Sequence, residues 1–254
     1  MDMSPKLGYR EIADHIRQGI VSGAYPTGTA LPAEPELAAE FNASRSLVNR
    51  AMQVLAAEGL VRPRQGRGTI VTWLPPMTHS AARYARSTRE AGGARGAFDA
   101  EIRALGLEPQ HEIRVERTIP PQHIAEILGL DAGEESALVR RRRLLASGIP
   151  VRLNASWFPL EIAAGTVLEA EGPVIVGGVK TALAELGYPQ TEGTERFTIR
   201  SPQGHEIDDL EISPERTVID MVHIGRTESG RAVEVTTTVT PAHYLVVEST
   251  FPLA

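Results

Sequence analysis

The sequence predicts an α+β protein in two parts. Residues 1–72 read as a small head of three helices closed by a two-stranded hairpin, and residues 96–254 as a mostly antiparallel-sheet domain, with 73–95 as a linker. Three observations predict this. Apolar residues recur at three- and four-residue spacing through the first sixty positions. A glycine-rich turn flanked by arginines follows at once. From Glu112 onward, β-prone runs pair around short polar turns. At 254 residues, with 42% hydrophobic and 23% charged content, the chain can bury the core that two ordinary domains require.

The elements of the head follow in order. Residues 1–8 are polar and expected to fray. Tyr9–Ser22 places Ile12, Ile16 and Ile20 on one helical stripe. A short apolar segment (Leu37, Ala38, Phe41) is followed by the polar break Asn42-Ala43-Ser44. Ser44 suits an N-cap, because its hydroxyl can accept an amide of the next helix's first turn. That helix buries Val48, Ala51, Met52 and Leu55 and stops at Gly59, a residue free to turn left-handed. Its opposite face carries Arg45, Ser46, Asn49 and Gln53. Arginine pairs with guanine edges and asparagine with adenine edges, so this face has the chemistry of a major-groove reader. Two β-prone pieces, Leu60–Arg62 and Thr69–Val71, flank Arg64-Gln65-Gly66-Arg67-Gly68, a basic tip able to enter a minor groove or follow phosphates. Taken singly, arginines on a helix are a solvated face and Gly-Arg-Gly is a turn. Here cap, polar face and basic tip occur together, in the order of a winged helix-turn-helix.

Charge supports the division. The net charge of −6 argues against a protein that coats nucleic acid throughout. Residues 1–72 hold 8 Lys+Arg against 7 Asp+Glu, whereas 73–254 hold 18 against 25. Within 45–67 there are five arginines and one acid, Glu58, so the basic footprint is local. Zero cysteines exclude a disulfide framework and a thiolate metal site, and the seven histidines are scattered, so neither a metal nor a cofactor is expected. No apolar run reaches membrane-spanning length and no leader is evident, which makes the cytoplasm the expected location.

Tyr9, Gly23-x4-Gly28-x2-Leu31-Pro32, Glu36-Leu37-Ala38, Ser44-Arg45, Ala51, Leu55, Glu58-Gly59-Leu60-Val61 and Gln65-Gly66-Arg67-Gly68-Thr69 stand in one register across Tyr9–Val71. This segment closely resembles the DNA-binding domain of GntR-family transcription regulators. The resemblance implies duplex-DNA contacts from Tyr9, Ser44, Arg45, Ser46, Leu47, Asn49, Arg50, Gln65, Gly66, Arg67 and Thr69. For Tyr9, a phosphate contact and a helix-supporting role stay open. Two positions depart from the pattern. Pro35 replaces an arginine that often contacts DNA, and Asn49 replaces an arginine of the recognition helix.

Beyond Thr72 the periodicity dissolves. Pro75-Pro76, a Ser-, Thr- and Arg-rich stretch and Gly92-Gly93 predict the linker, with a helical turn near Ala81–Glu90. The second domain is expected to contain strands at Glu112–Ile119, Ala137–Leu145, Val151–Phe158, Thr194–Arg200, Val218–Arg226 and Ala232–Pro241. Helices are expected at Phe98–Leu105, Pro121–Leu128, Val179–Leu186 and Pro202–Asp209. Turns at Ser147-Gly148-Ile149-Pro150 and Glu228-Ser229-Gly230 mark two hairpins, hence a mostly antiparallel sheet carrying helices.

Arg141-x-Arg143, Gly148-x-Pro150-Val151, Trp157-x-Pro159, Leu183-x3-Gly187, Glu195, Glu206-x3-Leu210 and Gly230-x2-Val233-Glu234 resemble the UTRA ligand-binding domain, whose fold is chorismate-lyase-like. Together the two halves resemble the HutC-like subfamily of GntR regulators. The resemblance implies a homodimer, and an effector pocket holding an anion on Arg141 and Arg143. Guanidinium forks suit carboxylate and phosphate. The alternative is a solvated face paired with Glu134 or Glu135. Backbone amides at Gly178–Val179 and Ala97–Phe98 could cradle an anion. Asn154 replaces a frequent carboxylate, and Gly178 a frequent serine, which points away from amino-sugar phosphates. His243 and Tyr244 are candidate pocket walls or ordinary packing. The expectation is therefore a repressor, not an enzyme, released from operator DNA by a small anionic effector. A ligand-independent repressor with a degenerate pocket and a lyase-like enzyme are the rivals. Enzyme-like strings fail on geometry: Val176-Gly177-Gly178-Val179-Lys180-Thr181 does not set Gly beside Lys as a phosphate loop must, and His205-Glu206 lacks a second histidine four residues on.

Overall fold

The computed structural model describes residues 7–85, 87, 96–172 and 175–251. Two compact units meet in sequence at Pro75/Pro76.

The first unit contains helices α1 (Tyr9–Val21), α2 (Glu34–Glu40) and α3 (Arg45–Glu58), then strands β1 (Val61–Arg64) and β2 (Gly68–Val71). Its core joins Ile12, Ile16 and Ile20 of α1 to Leu37 of α2 and to Val48, Ala51, Met52 and Leu55 of α3, the stripes the spacing predicts. Each fully buried aliphatic side chain of this kind contributes roughly 1.5–3 kcal/mol. Local signals set the ends of α3. The Ser44 hydroxyl accepts the Leu47 amide at 3.4 Å. Gly59 closes the helix at φ 77°, where a side chain would strain the backbone. Arg17 grips Glu58 through two bonds of 2.7 and 2.9 Å, tying α1 to the end of α3. The hairpin β1–β2 is antiparallel, and residues 28–31 stitch onto its far edge through Leu31 N to Thr69 O and Val71 N to Thr29 O.

The second unit is built on one six-stranded sheet in the order β4-β5-β6-β9-β8-β7. The strands are β4 (Pro109–Thr118), β5 (Ala137–Ala146), β6 (Ile149–Pro159), β7 (Glu192–Arg200), β8 (Val218–Arg226) and β9 (Ala232–Pro241). Every neighbouring pair in this sheet is antiparallel. The helices are α4 (Ala97–Ala104), α5 (Gln122–Leu128), α6 (Leu160–Ala163), α7 (Gly178–Glu185) and α8 (Gly204–Leu210). Helix α5 packs Ile124 and Leu128 on one sheet face, against Val139, Trp157 and Val235. On the other face α6 and α7 pack Ile162, Ala182 and Leu183 against Leu138, Phe158 and Val233. The α+β class and the antiparallel sheet agree with the sequence.

The region expected to be linker differs. Residues 77–79 form a strand, β3 (Met77–His79), parallel to β10 (Leu245–Val247), and Ala81–Tyr84 form a 3₁₀ turn. Met77 and His79 are buried, so this stretch belongs to the second unit. Its pairing partner lies far along the chain, and three residues carry too little pattern to reveal it. The rest of the expected helical turn to Glu90, and most of the remaining linker, fall outside the described residues. No described helix is long and apolar enough to cross a membrane.

Candidate functional sites: a nucleic-acid interface and a ligand cavity

On the first unit the N-terminal turn of α3 exposes Arg45, Ser46, Asn49 and Arg50, and the hairpin tip exposes Gln65, Gly66 and Arg67. Gly66 and Gly68 adopt φ of 73° and 76°, which lets the tip turn tightly. Arg45 makes no ion pair among the described residues. Asn49 is engaged instead: its amide donates to Glu34 Oε1 at 3.1 Å and accepts from Gln53 Nε2 at 3.0 Å. Arg50 lies over the Tyr9 ring at 4.1 Å, and Arg10 donates to the Tyr9 hydroxyl at 3.1 Å. The Arg10 bond holds that phenol below its ordinary pKa. Ser44 is spent on capping and meets Ser46 Oγ at 2.9 Å. Leu47 is half-buried against the head core, and Thr69 is half-buried in β2 opposite Pro63, so both sit back from the exposed face. Gln53 stands one helical turn along α3 from Asn49 and was readable from spacing, whereas the Glu34 partner was not, because Glu34 lies on the preceding helix.

The second unit holds a partly open cavity of about 160 Å³ on the α4 and α7 side of the sheet. Its floor is a transverse row in strict register, Ile113, Arg142, Asn154, Thr238 and Met221, one residue from each of five adjacent strands. Beside it runs Arg140, Ser156, Thr236 and His223. The helix starts of α4 and α7 close over this floor through Ala97, Phe98, Gly178 and Val179. Gly178 adopts φ 77°, a backbone conformation that a side chain would strain, so glycine is favoured at this helix start.

Of the pocket residues the sequence suggested, Ala97, Phe98, Asn154, Gly178 and Val179 line this cavity. Arg141 and Arg143 do not, and that expectation is corrected. They project from the opposite sheet face, where Arg141 pairs with Glu116 at 3.0 Å and Arg143 with Glu112 and Glu211 at 3.2 and 2.9 Å. Strand alternation puts Arg140 and Arg142 in the cavity instead. His243 and Tyr244 also lie off it, their rings tilted by 45° against each other at 4.0 Å between centres. Burial, then the Arg216 charge, pushes the His243 pKa down to about 4.

Arg140 donates to the carbonyls of Leu168 and Ala170 at 2.7 and 2.9 Å. Burial, then neighbouring Arg142, lowers its pKa to about 10. Arg142 donates to Ser156 Oγ at 2.7 Å, Ser156 meets Thr236 Oγ1 at 2.7 Å, and Thr236 donates to Glu234 Oε1 at 2.8 Å. Lys180 sits among Gln190, His223 and Glu234, the last at 3.7 Å. Burial would raise the Glu234 carboxyl, but Lys180, His223 and its hydrogen bonds prevail and hold it at about 2. Arg83 and Arg152 share Glu101 at 3.4 and 3.2 Å. His79 donates to Glu195 at 2.9 Å, and Tyr84 also bonds Glu195 while stacking on His223. Burial favours a protonated Glu195, yet His223, whose Nδ1 stands 3.7 Å away, and the hydrogen bonds from His79 and Tyr84 overcome it and keep the carboxyl below its usual range. Sequence reasoning missed His79, Arg83 and Tyr84 because they sit in the presumed linker. His111, Lys180, Arg152, His223 and Glu234 lie singly along their elements, and only the folded sheet collects them.

Buried side-chain polar atoms without a hydrogen-bond partner concentrate here. Arg142 Nε, Asn154 Oδ1, His111 Nδ1 and His223 Nδ1 belong to lining residues, and Glu101 Oε1 adjoins them. Bare buried polar atoms are costly, so such a cluster is the mark of a binding site. No group of three or more metal-ligating side chains occurs among the described residues.

Comparisons with known proteins agree with both halves. Residues 8–71 match the family model "Bacterial regulatory proteins, gntR family", and residues 104–245 match the UTRA domain. An uncharacterised HTH-type transcriptional regulator of Streptomyces coelicolor is 30% identical, over 91% of this chain and 88% of that protein. The HTH-type transcriptional repressor NagR of Bacillus subtilis is 29% identical over 63% of this chain and 61% of its own. A crystal structure of a GntR-family transcriptional regulator superposes with a TM-score of 0.59 at 26% identity, covering 97% of this chain and 98% of that one. PhnF from Mycobacterium smegmatis gives the same TM-score, 0.59, at 18% identity over 96% and 100% of the two chains, a likeness of fold.

Proposed function

The chain belongs to the gntR family of bacterial regulatory proteins, as a DNA-binding transcriptional regulator with a UTRA effector-binding domain, and from that premise we propose that it is a HutC-like repressor released from its operator by a small anionic effector. The observation that carries this reading is the cavity's half-buried Arg142, whose Nε is buried without a hydrogen-bond partner and whose guanidinium donates to one hydroxyl and to no carboxylate among the described residues. A partly desolvated, incompletely hydrogen-bonded guanidinium stands ready for an anion. The similarity to a protein named a transcriptional repressor supports the sign of regulation. The protein acts in the cytoplasm as a homodimer, its two heads taking half-sites about 34–36 Å apart.

DNA contacts are assigned to Arg45, Ser46, Asn49 and Arg50 on α3 and to Gln65, Gly66 and Arg67 at the wing. Tyr9 serves chiefly to hold Arg50 in place, and Ser44 to cap the helix. By linkage, effector and operator weaken each other's binding equally, typically by about 1–3 kcal/mol. The test is a mobility-shift titration on the promoter upstream of the protein's own gene, with and without a panel of small acids. Release by an acid supports the switch. Tight binding that no acid alters leaves a ligand-independent repressor.

Glu34 sets a carboxylate beside the reading face and occupies Asn49. Glu34→Ala is therefore expected to raise affinity for duplex DNA several-fold at low salt, with the gain shrinking as salt rises. Unchanged or weaker binding in the same assay would show that Glu34 orients Asn49 rather than opposing DNA.

A further inference from the structure

We infer that the effector is a small hydroxy-monocarboxylate with an apolar body. This rests on the reading that the cavity is the effector site and narrows its chemistry.

Charge comes first. The cavity's other cations are occupied: Arg83 and Arg152 by Glu101, Lys180 by Gln190, His223 and Glu234, and Arg140 by the Leu168 and Ala170 carbonyls. Arg142 alone among them combines a bare buried Nε with the absence of a carboxylate partner among the described residues. The hydroxyl relay through Ser156 and Thr236 to Glu234 fixes its guanidinium from one side. The open edge of this guanidinium matches the paired oxygens of a carboxylate.

The second requirement is a donor. Asn154 faces Arg142 directly across the β5–β6 pair, and directly opposed side chains on one sheet face lie about 4.5–5.5 Å apart at Cβ. Its amide nitrogen donates to Thr238 Oγ1 at 3.2 Å, leaving Oδ1 bare. His111 Nε2 is spent on Asp99 Oδ1 at 2.6 Å, which leaves Nδ1 as a second bare acceptor. A ligand must therefore offer an O–H or N–H close to its carboxylate. An ammonium would seek a free carboxylate, but Glu234 and Asp99 are both engaged. A hydroxyl suits a neutral amide. Size is the third limit. A cavity near 160 Å³ is comparable to the roughly 150 Å³ void that admits benzene, and Phe98, Ile113, Leu144 and Val179 give it apolar walls.

The test is calorimetric titration of the full-length protein with skeleton-matched triplets of three to six carbons. At the long end these are 2-hydroxy-4-methylpentanoate, 4-methylpentanoate and leucine, with glucose 6-phosphate as the dianionic arm. At least one hydroxy acid should bind about tenfold or more tighter than its deoxy and amino partners, and glucose 6-phosphate more weakly still. Arg142→Leu should abolish binding. Asn154→Leu should bring the hydroxy-to-deoxy ratio near one while the deoxy acid still binds. The melting transition of the second unit, followed by calorimetry in the absence of acid, reports that each variant is folded. Preference for the amino acid or the phosphate, an unchanged ratio in Asn154→Leu, or no binding by any triplet overturns the assignment. If glucose 6-phosphate or an amino acid nevertheless releases the operator, the effector reading survives and only this ligand class falls. If no acid binds or releases, both fall.

Discussion

Glu101→Leu is expected to destabilise the second unit by about 3–5 kcal/mol, the usual cost of removing one partner from a buried ion pair. Glu101 lies on α4 and its Oε2 receives both Arg83 and Arg152, with side-chain exposures of 15% and 4% for the two arginines and 12% for the glutamate. Among the described residues no other carboxylate pairs with either arginine. Arg152 would keep Thr240 Oγ1 at 3.3 Å, Met77 Sδ at 3.9 Å and the Phe98 ring at 5.6 Å, none of which carries charge. Arg83 would keep His79 Nδ1 at 2.6 Å. Burial already lowers the Arg152 pKa, with Glu101 acting against it, so losing the carboxylate leaves desolvation unopposed. For a unit of this size the loss corresponds to a fall of about 6–20 °C in melting temperature. Glu101→Gln should cost less, because an acceptor oxygen remains. Calorimetry resolves the outcome, since the head has its own core and its transition serves as an internal reference. A change under about 1 kcal/mol would mean that the two guanidinia are solvated and the cavity wall is not held electrostatically.

The same residues show where the sequence could and could not be read. The head was legible because its signals are local. Ser44, the Val48-to-Leu55 stripe and Gly59 each act within one helix, and α3 starts and stops where they indicate. Strands Val218–Arg226 and Ala232–Pro241 were legible for a similar reason, since alternation and a Gly-bearing turn suffice. The arginine face was not. A regular hairpin closing at Ser147-Gly148, with Ala146 opposite Ile149, would set Arg141 opposite Asn154. A bulge between Leu144 and Leu145 shifts the register by one and puts Arg142 there. One extra residue reverses which side chains face the cavity, and nothing in the run of four arginines announces it. Strand β3 was hidden because its partner, β10, lies near the other end of the chain. The Glu34–Asn49 contact was hidden because it joins two helices whose angle the sequence does not state.

Arg45→Ala and Arg67→Ala are expected to separate reading from gripping. Arg45 opens α3, is exposed and makes no ion pair among the described residues, so its guanidinium is available to a base edge. Asn49, the other side chain of that face proposed to read a base, is already bonded to Glu34 and Gln53 and would have to break those bonds to read adenine. Sequence discrimination therefore falls mainly on Arg45. Its loss should cost about 1–3 kcal/mol on the operator, and the base preference at one position of each half-site should relax. Arg67 stands at the tip of a hairpin whose turn is closed by its own amide on the Arg64 carbonyl at 3.0 Å. That bond fixes the backbone while leaving the side chain exposed, the arrangement of a phosphate contact. Arg67→Ala should weaken operator and random duplexes alike and lower the slope of log K against log salt by about one. Fluorescence anisotropy on both duplexes across a salt series measures the two effects together. Equal losses on both duplexes for Arg45→Ala would move the specificity to Asn49 and Arg50. A selective loss for Arg67→Ala would make the wing a minor-groove reader.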